Sequence, residues 1–412
     1  MSPIKPLSIW VVDPGLMEAG GHHAALAESF CQFQNQGLIA DENNVSVTAY
    51  SHQLLDHNLK VKLENAGITV NLFFETLFYK HFHDGAVLGP AGIQRYVRKL
   101  CSEYEIALLN ACDQINISGE NHLLFFPCLN WEHAWALNLA ISLHRAQVEN
   151  PKLKLVCCAM YSPISGSSSS CKKMWYRLGF QGLMSVKNLN LYCSEYELSQ
   201  TYQELLDCSI IRTHPCYLMD WSAIQPNLTQ SSTLVLPENT VLLYLGDAKE
   251  DKGFNRLPEL LTRSLANTPE NTHFLIQYTL AWEYPELNDT LKKLRNWTKK
   301  EPRLILHHGF LSNLEMAHVM RRIKMAVCTY DTQVYQNKSS GLLWMLAYFN
   351  VPLIIGGSCW LTREAQRLGV SYEISAGLTI QDSIVEQTMQ DSDILSYKKL
   401  MFEPLMNWLV NH

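Results

Sequence analysis

The chain has 412 residues, 47% of them hydrophobic and 17% charged, with a formal net charge of −6. That length predicts roughly two to three domains, each with its own core. The composition excludes a disordered chain, and the acidic balance excludes a general nucleic-acid binder. No apolar run approaches the ~20 residues needed to cross a bilayer.

The twelve cysteines contain no C-x-x-C and one adjacent pair, Cys157 and Cys158. With no zinc-type spacing, reduced thiols and no metal site are expected. The first residues, MSPIKPLSIWVVDP, read as a strand start without the layout of a signal peptide, so a cytoplasmic location is expected.

From the N terminus, short apolar runs alternate with longer amphipathic ones. Strands are predicted at 7–13, 45–51, 68–74, 123–128, 153–159, 189–193 and 209–213, with helical patterns at 22–34, 93–112, 132–146 and 195–206. Such alternation implies βαβ units in a mostly parallel sheet covered on both faces. Ligands of such sheets gather at the C-terminal ends of the strands.

Three features sit at those ends. Gly20, Gly21, His22 and His23 close the first β–α loop, where paired glycines allow close approach and the helix start favours negative charge. A histidine there is poised for proton transfer, and a flexible capping loop is the plain alternative. After the fourth strand, PCLNWEHAW places Glu132 and His133 at the ligand-facing edge, where a lone histidine is equally often structural. The serine run Ser165–Ser170 is expected to be a mobile loop. The basic, aromatic stretch Cys171–Phe180 reads as a solvated amphipathic helix or as a contact for an anionic acceptor or membrane surface.

From Ser222 to Thr240 the pattern breaks into a Pro-, Asn-, Ser- and Thr-rich stretch that reads as a linker. Strands resume at 241–245, 273–278, 303–308, 325–330 and 352–355. The run VLLYLGDAKEDKGF, 241–254, is an apolar strand that turns at Gly246 and hands over to a helix at Lys252 and Gly253. Unpaired backbone N–H groups and the helix dipole favour phosphate at such a corner, and Lys249 and Lys252 add charge. A second corner follows the strand 325–330: Asn337, Lys338, Ser339, Ser340 and Gly341 lead into an apolar helix, offering hydroxyl and amide donors to an anion or sugar. Simple N-capping by Ser339 or Ser340 is the plain reading of that corner alone.

The pair of corners resembles the C-terminal donor-binding domain of GT-B glycosyltransferases, especially the large retaining group that includes sucrose synthase and bacterial phosphatidylinositol mannosyltransferases. The group's G-x(5)-K-G-F element runs here from Gly246 to Phe254, with Lys252 matching the family lysine. Asp247 stands where the family has arginine, and Lys249 is the stand-in. The family's paired glutamates, counted back from Pro352, fall on Asn337 and Met345, so that motif is degenerate.

The resemblance implies an α/β, GT-B chain of two doubly wound Rossmann-like domains facing each other across a cleft. The expected organisation is an acceptor-binding domain at 1–222, a linker at 223–240, a nucleotide-sugar-binding domain at 241–392, and a C-terminal helix at 393–412 packing back towards the first domain. It implies a metal-independent hexosyltransferase, with His133, His22 and Lys252 catalytic. Gly20, Gly21, Gly246, Lys249, Lys252, Gly253, Asn337, Lys338, Ser339, Ser340 and Gly341 would line the donor site. No cofactor is expected: the partners are a nucleotide-diphosphate sugar donor and a carbohydrate or lipid-linked acceptor, with peripheral contact at the inner face of a membrane left open. Two other functions stay open, a catalytically inactive GT-B subunit and a sugar-nucleotide epimerase.

Overall fold

The computed structural model of the chain describes residues 7–35, 45–78, 89–164, 170–209, 211–215, 221, 234–280, 285–380 and 392–411. The chain divides into two compact units, Met1–Asp220 with Glu403–His412, and Trp221–Phe402.

In the first unit, β1 (Leu7–Val12), β2 (Val45–His52), β3 (Thr69–Phe74), β4 (Asn121–Leu129), β5 (Leu153–Ala159), β6 (Leu189–Cys193) and β7 (Arg212–Thr213) pair in parallel in the order β3-β2-β1-β4-β5-β6-β7. Alternate residues feed cores on opposite faces, because successive side chains of a strand point to opposite sides. Trp10, Val12, Leu124, Phe126, Leu155 and Cys157 pack against the helices Gly89–Ser118 and Trp131–Leu143. Ile9, Val11, Leu123, Phe125, Val156 and Cys158 pack on the other face with Phe30 of the helix Gly21–Asn35. Burial on both faces is why β4 reads as a continuous apolar run.

In the second unit, β8 (Thr240–Asp247), β9 (His273–Thr279), β10 (Leu304–His308), β11 (Ile323–Cys328), β12 (Leu353–Ile355) and β13 (Tyr372–Ile374) form a parallel sheet ordered β10-β9-β8-β11-β12-β13. Relabelled within the domain this is 3-2-1-4-5-6, the order of a doubly wound dinucleotide-binding sheet. Each sheet has one point where the winding reverses, between β1 and β4 and between β8 and β11. Crevices for ligands open there, beyond the strand C termini.

Several expected elements take a different form. The predicted helix 132–146 ends at Leu143, because His144 leaves helical geometry at φ −127°, and a separate turn Arg145–Val148 follows. Among the described residues of the predicted strand 209–213, Arg212–Thr213 pair. The terminal stretch 393–412 is two helices, Ser392–Met401 and Leu405–Asn411, separated around Pro404, whose ring disfavours a helical residue before it. The first belongs to the second unit, while Leu405, Met406, Trp408 and Leu409 of the other join the first unit's core. Most of the expected linker, 222–233, and the serine run 165–169 lie outside the described residues. The linker's last residues are structured: Leu234 and Leu236 are buried and Thr240 begins β8.

Candidate functional site

At the switch point of the first sheet, Asp13 follows β1 and is buried at 1% exposure. One carboxylate oxygen accepts the Gly15 amide at 2.9 Å, and the other lies 2.8 Å from Nδ1 of His23. Gly15 leaves room for that imidazole, since a Cβ there would sit 2.2 Å from its Cε1. Gly21 begins the following helix at φ +83°, a left-handed conformation that glycine adopts without strain, and Gly20 beside it is half-buried. His22 is exposed, with its ring 4.1 Å from that of His23 and its Nε2 3.7 Å from Sγ of Cys128, near the end of β4. The hydroxyl of Tyr161, just after β5, lies 3.7 Å from the same sulfur.

His133 sits deeper. It is 1% exposed, stacked on Phe78 at 4.1 Å and 16°, with Nε2 3.3 Å from the Tyr96 hydroxyl. Its neighbour Glu132 is fully buried, and that burial pushes its carboxyl up from 4.5 to about 8, so it holds a proton at neutral pH. Asn130 caps this helix by accepting the Trp131 amide, and also accepts the Tyr176 hydroxyl at 2.7 Å. That bond ties in the inner face of the amphipathic helix Ser170–Gln181. Tyr176 and Phe180 are buried, Trp175 lies 5.4 Å from Trp131, and Gly179 abuts the Trp131 carbonyl, 2.5 Å from where a Cβ would be. Lys173, Met174, Arg177 and Leu178 of its outer face are exposed.

At the switch point of the second sheet the chemistry is ionic. Gly246, at φ +116°, is the penultimate residue of β8, and Nζ of Lys252 lies 3.4 Å from where its Cβ would be. Lys252 thus folds back over the glycine. Its ammonium makes no ion pair within 4.0 Å among the described residues, whereas Lys249 pairs with Asp247 at 3.4 Å and Lys338 with Asp251 at 2.7 Å. Lys338 also lies over the Tyr335 ring at 4.8 Å. Burial first, then the like charges of Lys249 and Lys338, hold the Lys252 pKa below the usual lysine range, against the pull of Asp247 and Asp251. Three ammonium groups therefore converge on one corner, and an anion there would relieve their repulsion.

The backbone of this corner differs from the expected anion nest. The amide of Gly246 donates to Oε1 of Gln277, Ala248 to the Thr279 carbonyl, Lys249 to the Tyr244 hydroxyl, Gly253 to Glu250 and Phe254 to Lys249. Those N–H groups are consumed internally, and a single turn, Phe254–Arg256, precedes the helix Leu257–Asn267. Gly253 is present for a steric reason: at φ +77°, its Cβ would lie 2.1 Å from the Thr329 carbonyl oxygen.

The second corner lies beside the first, at the end of β11. Ser340 occupies the N-cap position of the helix Gly341–Tyr348 but makes no capping bond; its hydroxyl lies 3.2 Å from that of Tyr330. Ser339 is half-buried and Gly341 exposed at the open helix end. Of the two glutamate-equivalent positions, Asn337 is exposed and Met345 is buried at 8% exposure.

No protein-family model and no curated protein sequence matches the chain. Solved structures do. The α,α-trehalose-phosphate synthase (UDP-forming) of Burkholderia vietnamiensis superposes with a TM-score of 0.57 at 10% identity, over 98% of this chain and 100% of that one. The N-terminal domain of Candida albicans trehalose-6-phosphate phosphatase gives 0.57 at 12% identity, over 100% and 96%. Anabaena HepE, in complex with UDP and glucose, gives 0.52 at 12% identity, over 98% and 94%. With two parallel sheets of seven and six strands, the fold is GT-B.

Within the GT-B fold, several site residues escape sequence reasoning: Asp13, Cys128, Tyr161 and Tyr96 in the first domain, Asp251, Gln277 and Tyr330 in the second. Asp13 carried a signal, an acid at a strand end before Pro-Gly. The others act through partners distant in sequence, which no local pattern encodes.

Proposed function

We propose that the chain is a glycosyltransferase that takes a sugar from a nucleotide-diphosphate donor. The second domain holds the donor, and the first receives the carbohydrate or lipid-linked acceptor. The observation that carries this reading is the placement of Lys252 over Gly246 at the switch point, with Lys249 and Lys338 converging on it. Charge accumulates on a diphosphate as it leaves, and fixed ammonium groups aimed at that charge stabilise the transition state most. Lysine charge then serves where other transferases use a metal at the diphosphate. His22, exposed at the first domain's edge, is suited to move the acceptor's proton, with the buried His133 and Glu132 behind it.

A cytoplasmic role in surface polysaccharide or glycoconjugate synthesis, with peripheral contact at the membrane's inner face, fits the helix Ser170–Gln181. Its exposed Lys173, Met174, Arg177 and Leu178 combine basic and apolar groups, as membrane-surface helices do. Among the described residues no helix is long and apolar enough to cross a membrane.

The test uses UDP-glucose and related nucleotide sugars as donors. Lys252→Ala removes a charge-assisted contact worth roughly 1.5–3 kcal/mol, so donor turnover should fall about ten- to a hundredfold. Tm should hardly change, because among the described residues the ammonium makes no ion pair within 4.0 Å and burial penalises its charge. A folded Lys252→Ala protein with undiminished transfer would reject the proposal. One observation favours a second reading, an inactive donor-binding subunit: neither Asn337 nor the buried Met345 supplies a carboxylate. Donor-dependent stabilisation with no turnover on any acceptor would select it.

A further inference from the structure

We propose that the C-terminal edge of the first sheet is a metal site, in which His22, His23 and Cys128 bind a divalent transition-metal ion, zinc by the chemistry of the donors. One ligand atom from each residue lies within 4.8 Å of the other two. Sγ of Cys128 and Nε2 of His22 are 3.7 Å apart. In a tetrahedral zinc site, with Zn–S about 2.3 Å and Zn–N about 2.0–2.1 Å, a sulfur and a nitrogen ligand stand roughly 3.5 Å apart. An ion therefore fits between these two atoms with little movement of either.

The surroundings are those of a ligand set. His23 is oriented by Asp13, which lies 2.8 Å from Nδ1 and is buried, so Nε2 is the nitrogen with which this ring would ligate. A carboxylate holding the second nitrogen of a metal-bound histidine fixes its tautomer and raises its basicity. Gly15 gives the ring its place, since a Cβ there would lie 2.4 Å from Nε2. Two imidazoles and a thiolate suit zinc far better than magnesium or calcium, which prefer oxygen. On binding, the Cys128 S–H bond breaks, the sulfur keeps the electron pair as ligand, and the proton leaves to solvent. Three protein ligands leave the fourth position to water.

The ligands escaped the search for zinc spacings because Cys128 is 106 positions from His22. They meet because β1 and β4 are neighbours at the switch point. The assignment replaces proton transfer by His22, whose Nε2 lone pair would go to the ion, and every readout of its test is metal binding itself.

The experiment titrates the metal-stripped full chain with Co(II) and then Zn(II). One equivalent of cobalt should bind and give a thiolate-to-cobalt charge-transfer band, which zinc displaces. Cys128→Ser should abolish the band with the far-UV circular dichroism unchanged. His22→Gln, at an exposed position, keeps the test open if the serine variant fails to fold; it should weaken zinc binding about tenfold or more. The proposal is overturned if the full chain takes up neither metal, if the band survives Cys128→Ser, or if His22→Gln binds zinc as tightly as the unmodified chain.

Discussion

At the switch point of the first sheet the converging side chains are imidazole, thiol, phenol and the buried Asp13 carboxylate. At that of the second they are three lysines set against two aspartates. The sheets share a winding order, and both sites lie where it reverses. Topology thus decides where a site can form, and the residues at the strand ends decide its chemistry. The first edge offers nitrogen and sulfur donors, the second positive charge.

The greatest change in stability is expected at the first switch point. Glu132 has its carboxyl raised by burial from 4.5 to about 8. The folded state therefore keeps a proton that the unfolded state gives up. Stability from this group is intact below about pH 4.5 and is lost as pH rises towards 8, by on the order of 3–5 kcal/mol. Glu132→Gln should flatten that decline in denaturant unfolding measured across pH 5 to 9; an unchanged slope would show that the carboxyl is not held neutral.

The next effect tests the second side's backbone. Gly253→Ala forces a Cβ to within 2.1 Å of the Thr329 carbonyl oxygen at a φ of +77°. Overpacking and left-handed strain together should cost about 2–4 kcal/mol in chemical denaturation. A loss below about 0.5 kcal/mol would mean that the corner yields easily.

The smallest effect sharpens the roles of the lysines. Lys249 already pairs with Asp247, and both side chains are partly exposed. Lys249→Ala should change stability by less than about 1 kcal/mol. It should weaken nucleotide-diphosphate binding less than Lys252→Ala does, as read by titration calorimetry; equal losses would make the two lysines equivalent donors.

The fold was largely legible in the sequence where burial covers both faces of a strand. β4 and β8 are continuous apolar runs, so their positions follow from composition alone. β13 was not legible, because three partly exposed residues carry no pattern against the surrounding loop. The second domain's corner was visible as glycine and lysine after a strand. Its consumed amides were not, because Gln277 and Tyr244 reach them with side chains whose direction no local pattern reveals. The first domain's cluster was half visible: the Gly-Gly-His-His loop stands out, but Cys128 joins it only through the pairing of β1 with β4.

The proposed transfer requires the second switch point to bind a nucleotide diphosphate through Lys252. Isothermal titration of the full chain and of Lys252→Ala with UDP, ADP and GDP tests it most directly. One of these is expected to bind the unmodified chain, and the variant to bind it about tenfold or more weakly at an unchanged Tm. Binding of equal strength in both proteins, or of no nucleotide diphosphate in either, would contradict it.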